Sequence, residues 1–164
     1  MMSAMKFRTE LSYDAPPADV FAMLSDPEFR ERVCEAQHAV SYAVRVEPAG
    51  AGMNITVETE QNTAGLPSIA KKIVGDTTRA ILSETWKDGS GGTVSITAPG
   101  KPTSAGGTVR LVEAGEGTTE VVELDVKVKV PLIGGKLEQL MVDTIRAGYD
   151  VEHQVGRDWL AGNR

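Results

Sequence analysis

The chain is short of several things, and each shortage removes a class of function. A single cysteine, Cys34, in 164 residues excludes an internal disulfide and any zinc or iron–sulfur site built from several thiolates. It has no partner at C-x-x-C spacing and reads as a small buried thiol rather than a nucleophile. Basic residues are outnumbered: 17 Lys and Arg against 23 Asp and Glu give a net charge of −6, and no basic run is longer than Lys71-Lys72. Proteins that neutralise phosphates need a basic face, so nucleic acid and anionic membranes are poor partners. No window approaches the ~18 apolar residues of a membrane span, and the first residues form no apolar leader; together these predict a cytoplasmic protein without stable membrane insertion. Aromatics make up only 5% of the chain, so an interior would be walled mainly by aliphatic side chains.

What remains is a globular composition, 41% hydrophobic and 24% charged with a mean hydropathy of −0.17. The length suits one domain over residues 1–164, with an ordered core over about 5–162, large enough to enclose a core without staples.

Residues 6–13 alternate, with Phe7, Thr9, Leu11 and Tyr13 on one parity and Lys6, Arg8, Glu10 and Ser12 on the other, the period of a half-buried strand. Asp14-Ala15-Pro16-Pro17 ends it, and Val20, Phe21 and Leu24 begin a helical stripe. Asp26-Pro27 opens a second short helix whose inner face is Phe29 and Val33. Period two returns with Val40, Tyr42, Val44 and Val46, then a turn at residues 47–52, then Met53, Ile55 and Val57: a hairpin. Leu66, Ile69, Ala70, Ile73 and Val74 space as a short helix before Gly75. Four more strands follow over 77–87, 93–98, 108–113 and 119–130, separated by Gly- and Pro-rich turns. In the last, Val122, Leu124, Val126, Val128 and Val130 oppose Glu123, Asp125, Lys127 and Lys129. Residues 131–160 form a long helix with Ile133, Leu137, Met141, Ile145, Gly148, Val155 and Trp159 as its apolar stripe.

The strand ending in Ala15-Pro16, the following Val20-Phe21 and Leu24, and Asp26-Pro27-Glu28 resemble the opening of the START-like, helix-grip superfamily. The run Pro131-Leu132-Ile133-Gly134-Gly135-Lys136-Leu137-Glu138 before the long helix resembles its close. That superfamily, also called SRPBCC, includes lipid-transfer domains, birch-pollen-type allergens and polyketide cyclases. Within it the chain is most similar to an uncharacterised bacterial branch known only as a domain of unknown function. The resemblance implies an α+β fold: a curved antiparallel sheet of about seven strands, two short helices after the first strand and a long C-terminal helix. It also implies a cavity between sheet and helix that holds a hydrophobic molecule.

Two carboxylates sit where the patterns ask for apolar residues. Glu84 shares parity with Ala80, Leu82 and Trp86, and Glu152 falls within the terminal helix stripe. Facing a cavity, either would have a raised pKa and would serve as acid, base or polar anchor. The cost of burying a lone carboxylate favours the blander reading for both, with a bulge or an overshooting helix end leaving each in water. His38 and His153 read as rim residues, and no H-x-x-x-H or H-x-E pattern offers a metal site. No cofactor is expected. Gly100-Lys101 ends no phosphate loop, because Ser95 and Pro102 stand where a glycine and a Ser/Thr are required. The expected ligand-binding set is Tyr42, Ile55, Leu82, Glu84, Trp86, Val126, Met141, Ile145, Gly148 and Glu152, with no catalytic residue assigned. Non-catalytic binding or carriage of a small hydrophobic molecule, a lipid or polyketide-like compound, is the leading expectation. The alternatives are a cyclase- or dehydratase-type enzyme using Glu84 or Glu152, and a protein-interaction module without a ligand.

Overall fold

The alternation of the first segment makes it β1 (Met5–Tyr13), with Phe7, Leu11 and Tyr13 buried and Lys6, Arg8 and Glu10 exposed. The computed structural model describes residues 4–164. Pro17 occupies the first turn of α1 (Pro17–Leu24), where its missing N–H removes no helical bond. In α2 (Pro27–Ala36) the Asp26 carboxylate accepts the Glu28 N–H at 2.9 Å, satisfying one of the orphan donors of the first turn. The chain continues through β2 (Ser41–Ala49), β3 (Gly52–Asn62), α3 (Ser68–Val74), β4 (Thr77–Asp88), β5 (Gly91–Thr97), β6 (Thr103–Ala114), β7 (Gly117–Val128) and α4 (Gly134–Leu160).

All seven strands join one antiparallel sheet in the order β1-β7-β6-β5-β4-β3-β2. The first strand therefore closes against the last. α1 packs on β6 and β7, α2 packs on β2, and α4 packs on β1, β7, α1 and α2. This is the helix-grip arrangement expected from the sequence. Val122, Leu124, Val126 and Val128 are all buried on the inner face, while Glu123, Asp125 and Lys127 lie outward. Arg8 on β1 pairs with Glu123 across the outer face, as the register Arg8↔Glu123 requires.

Several boundaries differ. β7 stops at Val128, so Val130 lies beyond it, half-buried. β6 starts at Thr103 rather than residue 108, because pairing with β5 and β7 on both sides overrides the poor strand propensity of Gly106 and Gly107. α4 starts at Gly134, since Leu132 sits at φ +69° and is fully exposed, a conformation that ends any helix attempted from Pro131. α3 spans Ser68–Val74, between Pro67 and Gly75 at φ +89°. The Val74 side chain of the expected stripe lies outside the described residues. His38, read from the sequence as a rim residue, is exposed and stands before β2 at φ +59°.

The buried face of α4 is also rotated from the expected one. It consists of Glu138, Val142, Tyr149, Glu152, Gly156 and Trp159, whereas Leu137, Met141, Ile145, Gly148 and Val155 are not fully buried and Ile133 precedes the helix. Steps of four overshoot a 3.6-residue turn, so a stripe counted as 133, 137, 141, 145 walks around the helix. Choosing apolar residues alone also misses Glu138, whose carboxylate accepts the Val128 N–H at 3.0 Å and caps the end of β7.

Candidate functional site

The middle of the apolar interior holds a group of polar side chains. Arg30 lies on the inner face of α2 with Phe29, Val33 and Cys34, and is only 3% exposed. Its Nε donates to the Leu24 carbonyl at 2.8 Å, and Nη1 and Nη2 donate to the two oxygens of Glu84 at 3.2 and 3.1 Å. A forked guanidinium meeting both oxygens of one carboxylate is the strongest form of such a pair. Trp86, two positions along the inner face of β4, donates its Nε1–H to Glu84 Oε1 at 2.8 Å. Glu152 reaches in from α4 and brings Oε1 to 3.6 Å from Arg30 Nη1, a charge contact longer than a hydrogen bond. Glu120 enters from β7 on the same parity as Val122 and Leu124 and is buried. Tyr13 from the end of β1 and Tyr149 from α4 complete the group.

Both expectations of a solvent-exposed carboxylate are therefore overturned: Glu84 and Glu152 are buried, at 4% and 6% exposure. β4 keeps its parity past Glu84, and α4 is still over the sheet at Glu152. The desolvation cost argued against this placement, and Arg30 offsets it for Glu84. For the rest of the group the offset is incomplete. The Tyr13 and Tyr149 hydroxyls, Glu120 Oε1 and Glu152 Oε2 are all buried and find no hydrogen-bond partner among the described residues. Each such atom costs on the order of 1–3 kcal/mol.

Three carboxyl groups around one guanidinium cannot all stay ionised. Burial pushes the Glu152 carboxyl up to about 7, with Arg30 opposing and Glu84 adding to the rise. Burial likewise lifts Glu120 well above the usual carboxylic range, reinforced by Glu152 and Glu84. Burial opposes the charge on Arg30, but the neighbouring Glu84 and Glu152 outweigh it and keep the guanidinium protonated. The Tyr13 and Tyr149 phenols are pushed up by burial first and then by the carboxylates around them. Arg30 with Glu84 is thus a closed ion pair, and burial pushes the neighbouring Glu120 and Glu152 carboxyls toward the protonated form. No three His, Cys, Asp or Glu side chains among the described residues are disposed to share a metal ion.

Of the other expected site residues, Ile55, Trp86 and Val126 are buried on the inner face. Leu82, Met141 and Ile145 are half-buried along the border of the core. Tyr42 turns its hydroxyl to Glu35 at 2.8 Å, and that bond, more than burial, raises its pKa. Gly148 is not at the centre of the helix face: its carbonyl accepts from Gln37 Nε2 at 3.1 Å. The close approach expected there belongs to Gly156, where an added Cβ would stand 2.7 Å from Tyr13 Cε1 and 2.9 Å from Tyr13 Oη. Burial raises the Cys34 thiol to about 11, against a nucleophilic role. His153 contacts the Ser12 carbonyl at 2.7 Å and meets the Tyr13 ring edge-on. Two clefts are present, and the second shares Tyr13 with this group. One of about 170 Å³ sits among Tyr42, Glu58, Glu60 and Arg79, and one of about 540 Å³ at the end of β1 includes Tyr13, Pro16, Glu116 and Thr118.

Sequence reasoning missed Arg30, Glu120, Tyr13 and Tyr149 as members of one site. Glu120 was readable, since it continues the inward parity of β7. Arg30 follows Phe29 on a helix too short to fix its inner face to one residue.

Residues 8–160 match the model of a family described as a protein of unknown function (DUF2505). The chain belongs to that family. No curated protein matches the sequence. Among solved structures, TTHA0849 of Thermus thermophilus is 21% identical with a TM-score of 0.62, over 98% of this chain and all (100%) of that one. A START superfamily protein of Mycobacterium smegmatis is 15% identical with a TM-score of 0.53, over 92% and 96% of the two chains. The di-domain aromatase/cyclase StfQ of the steffimycin biosynthetic pathway is 14% identical with a TM-score of 0.65, over 98% of this chain and 52% of that one. At these identities the likeness is one of fold: this DUF2505 member has a START-like fold. No helix among the described residues is long and apolar enough to cross a membrane.

Proposed function

We propose that the protein binds a small, mainly apolar molecule in the interior between the sheet and α4, with one polar group of that molecule meeting the Arg30 group. The observation that carries this reading is the set of four buried polar atoms that find no partner among the described residues, drawn from β1, β7 and α4 and set within the hydrophobic core. Unpaired buried polar groups are rare because they are costly, and a ligand that hydrogen-bonds them recovers that cost on binding. The aliphatic walls, with half-buried Leu82, Ile96, Met141 and Ile145 at their border, supply the apolar part of the contact. The START and aromatase/cyclase names of the structural neighbours agree with a ligand-holding fold.

An environment-sensitive naphthylamine dye tests this. It should brighten on the wild type and lose affinity in Leu82→Trp and Ile145→Trp variants whose circular dichroism is native. Unchanged dye affinity in both folded variants removes the interior as the binding site and favours an interaction module.

Glu152 supports a second reading. A carboxyl titrating near neutrality against an apolar wall suits an acid–base step of the cyclase or dehydratase kind. A carrier returns its ligand unchanged and an enzyme does not, so mass spectrometry of a ligand released after incubation separates the two.

A further inference from the structure

Granting the binding function above, the charge arrangement at the Arg30 group decides which polar group the ligand carries. Both prongs of Arg30 are occupied by Glu84, and its Nε by the Leu24 carbonyl. The guanidinium is therefore already matched, and it has no free charge to receive an anion. The remaining groups are the two carboxyls of Glu120 and Glu152, each with an unpartnered oxygen, and the hydroxyls of Tyr13 and Tyr149. Ionised, the carboxyls add negative charge; protonated, they add none. In neither state does the site become positive.

We infer that this site takes an amphiphile with a cationic or hydrogen-bond-donating head, an alkyl or aryl amine by preference, and excludes fatty acids and other anionic lipids. An ammonium head donates to the unpartnered oxygens of Glu120 and Glu152, while the Tyr13 and Tyr149 hydroxyl oxygens offer further acceptors. A carboxylate head would be buried beside the Glu84 carboxylate, which already takes both prongs of Arg30, and any ionisation of Glu120 or Glu152 would add to the repulsion. The two phenols come from different elements and are buried without a partner among the described residues; their hydroxyls both donate and accept, so they serve the head without selecting its charge. A metal ion is a poor rival, because no three ligand-type side chains among the described residues share one position.

The test is a competition against the naphthylamine dye at neutral pH using decylamine, decanol and decanoate, which share one alkyl chain and differ only in the head. The shared chain makes the hydrophobic contribution common to all three, so the ranking reports the head group. The expected order is decylamine, then decanol, then decanoate, with at least about a tenfold gap between the first and last, equivalent to one fairly strong charge-assisted contact. Glu152→Gln should narrow the gap between amine and alcohol, because it removes the carboxyl that faces the ammonium as a charge while keeping an acceptor oxygen for a hydroxyl. Equal affinities, or decanoate binding best, overturn the cationic-head inference and leave the hydrophobic-ligand reading standing. If none of the three displaces the dye and the dye itself fails to bind, the binding function falls, and this inference falls with it.

Discussion

Removing Arg30 probes the interior most severely. In Arg30→Met the bidentate partner of Glu84 disappears, the Leu24 carbonyl loses its donor, and Glu84 keeps only the Trp86 N–H. Both side chains of the pair are almost fully buried, 3% and 4% exposed, so water does not replace the lost bonds. Deleting one partner of a buried ion pair costs about 3–5 kcal/mol, a large share of the roughly 5–15 kcal/mol that holds a domain folded. For a chain of this length that lowers the Tm by roughly 6–20 °C. Urea unfolding followed by circular dichroism measures the cost directly. The loss should be smaller at pH 5 than at pH 8, because Glu152, which also faces Arg30 and is pushed up to about 7 by burial, is neutral at the lower pH. The double variant Arg30→Met/Glu84→Gln removes both charges, keeps an acceptor for Trp86, and should recover part of the loss. An Arg30→Met variant destabilised by less than about 1 kcal/mol, the level of an exposed pair, would show that the guanidinium is hydrated and that the group is not buried as described.

Three further outcomes follow from the same geometry. The folded protein holds a proton on Glu152 up to about pH 7, whereas the free side chain releases it near 4.5. The folded state thus binds more protons in that window, and stability should fall as pH rises through it, then level off; Glu152→Gln should flatten this slope by on the order of a few kcal/mol. Gly156→Ala should destabilise the protein, because its Cβ would meet the Tyr13 ring at 2.7 Å, whereas Gly148→Ala meets only the flexible Gln37 amide at 3.3 Å. Urea midpoints should place Gly148→Ala at or above the wild type, helped by up to ~1 kcal/mol of helix propensity. α3 should exchange its amide hydrogens faster than β7: it is a short helix with exposed Ile69, held at its base by the Thr63 hydroxyl and the Gly75 and Asp76 carbonyls at 2.6 Å. Exchange as slow as in β7 would rule out an opening segment there.

The strands were readable because period two is unambiguous when one face is wet: β1 and β7 show it from Phe7 to Tyr13 and from Val122 to Val128. The long helix was readable as a helix, but its inner face was not, because the side chains it buries include Glu138, Glu152 and Gly156, which no apolar stripe would choose. The site was half readable. Glu84 and Glu152 stood out as breaks in pattern, yet single-carboxylate reasoning treated each as if it were alone. Their burial depends on Arg30, which is 54 residues from Glu84 in sequence and meets it only because α2 folds across the inner face of the sheet. Glu120 and Tyr149 join for the same reason. A site assembled from α2, β1, β4, β7 and α4 is a property of the tertiary fold, and local spacing carries no record of it.

The most direct measurement is a nitrogen-15 NMR titration of the labelled protein with decylamine. Binding in the interior should shift the amides around Tyr13, Glu84, Glu120, Tyr149 and Glu152 together, saturably, and leave the outer face near Arg8, Lys127 and Arg110 unchanged. Shifts confined to that outer face, or to the cleft around Glu58 and Arg79, would contradict an interior ligand site.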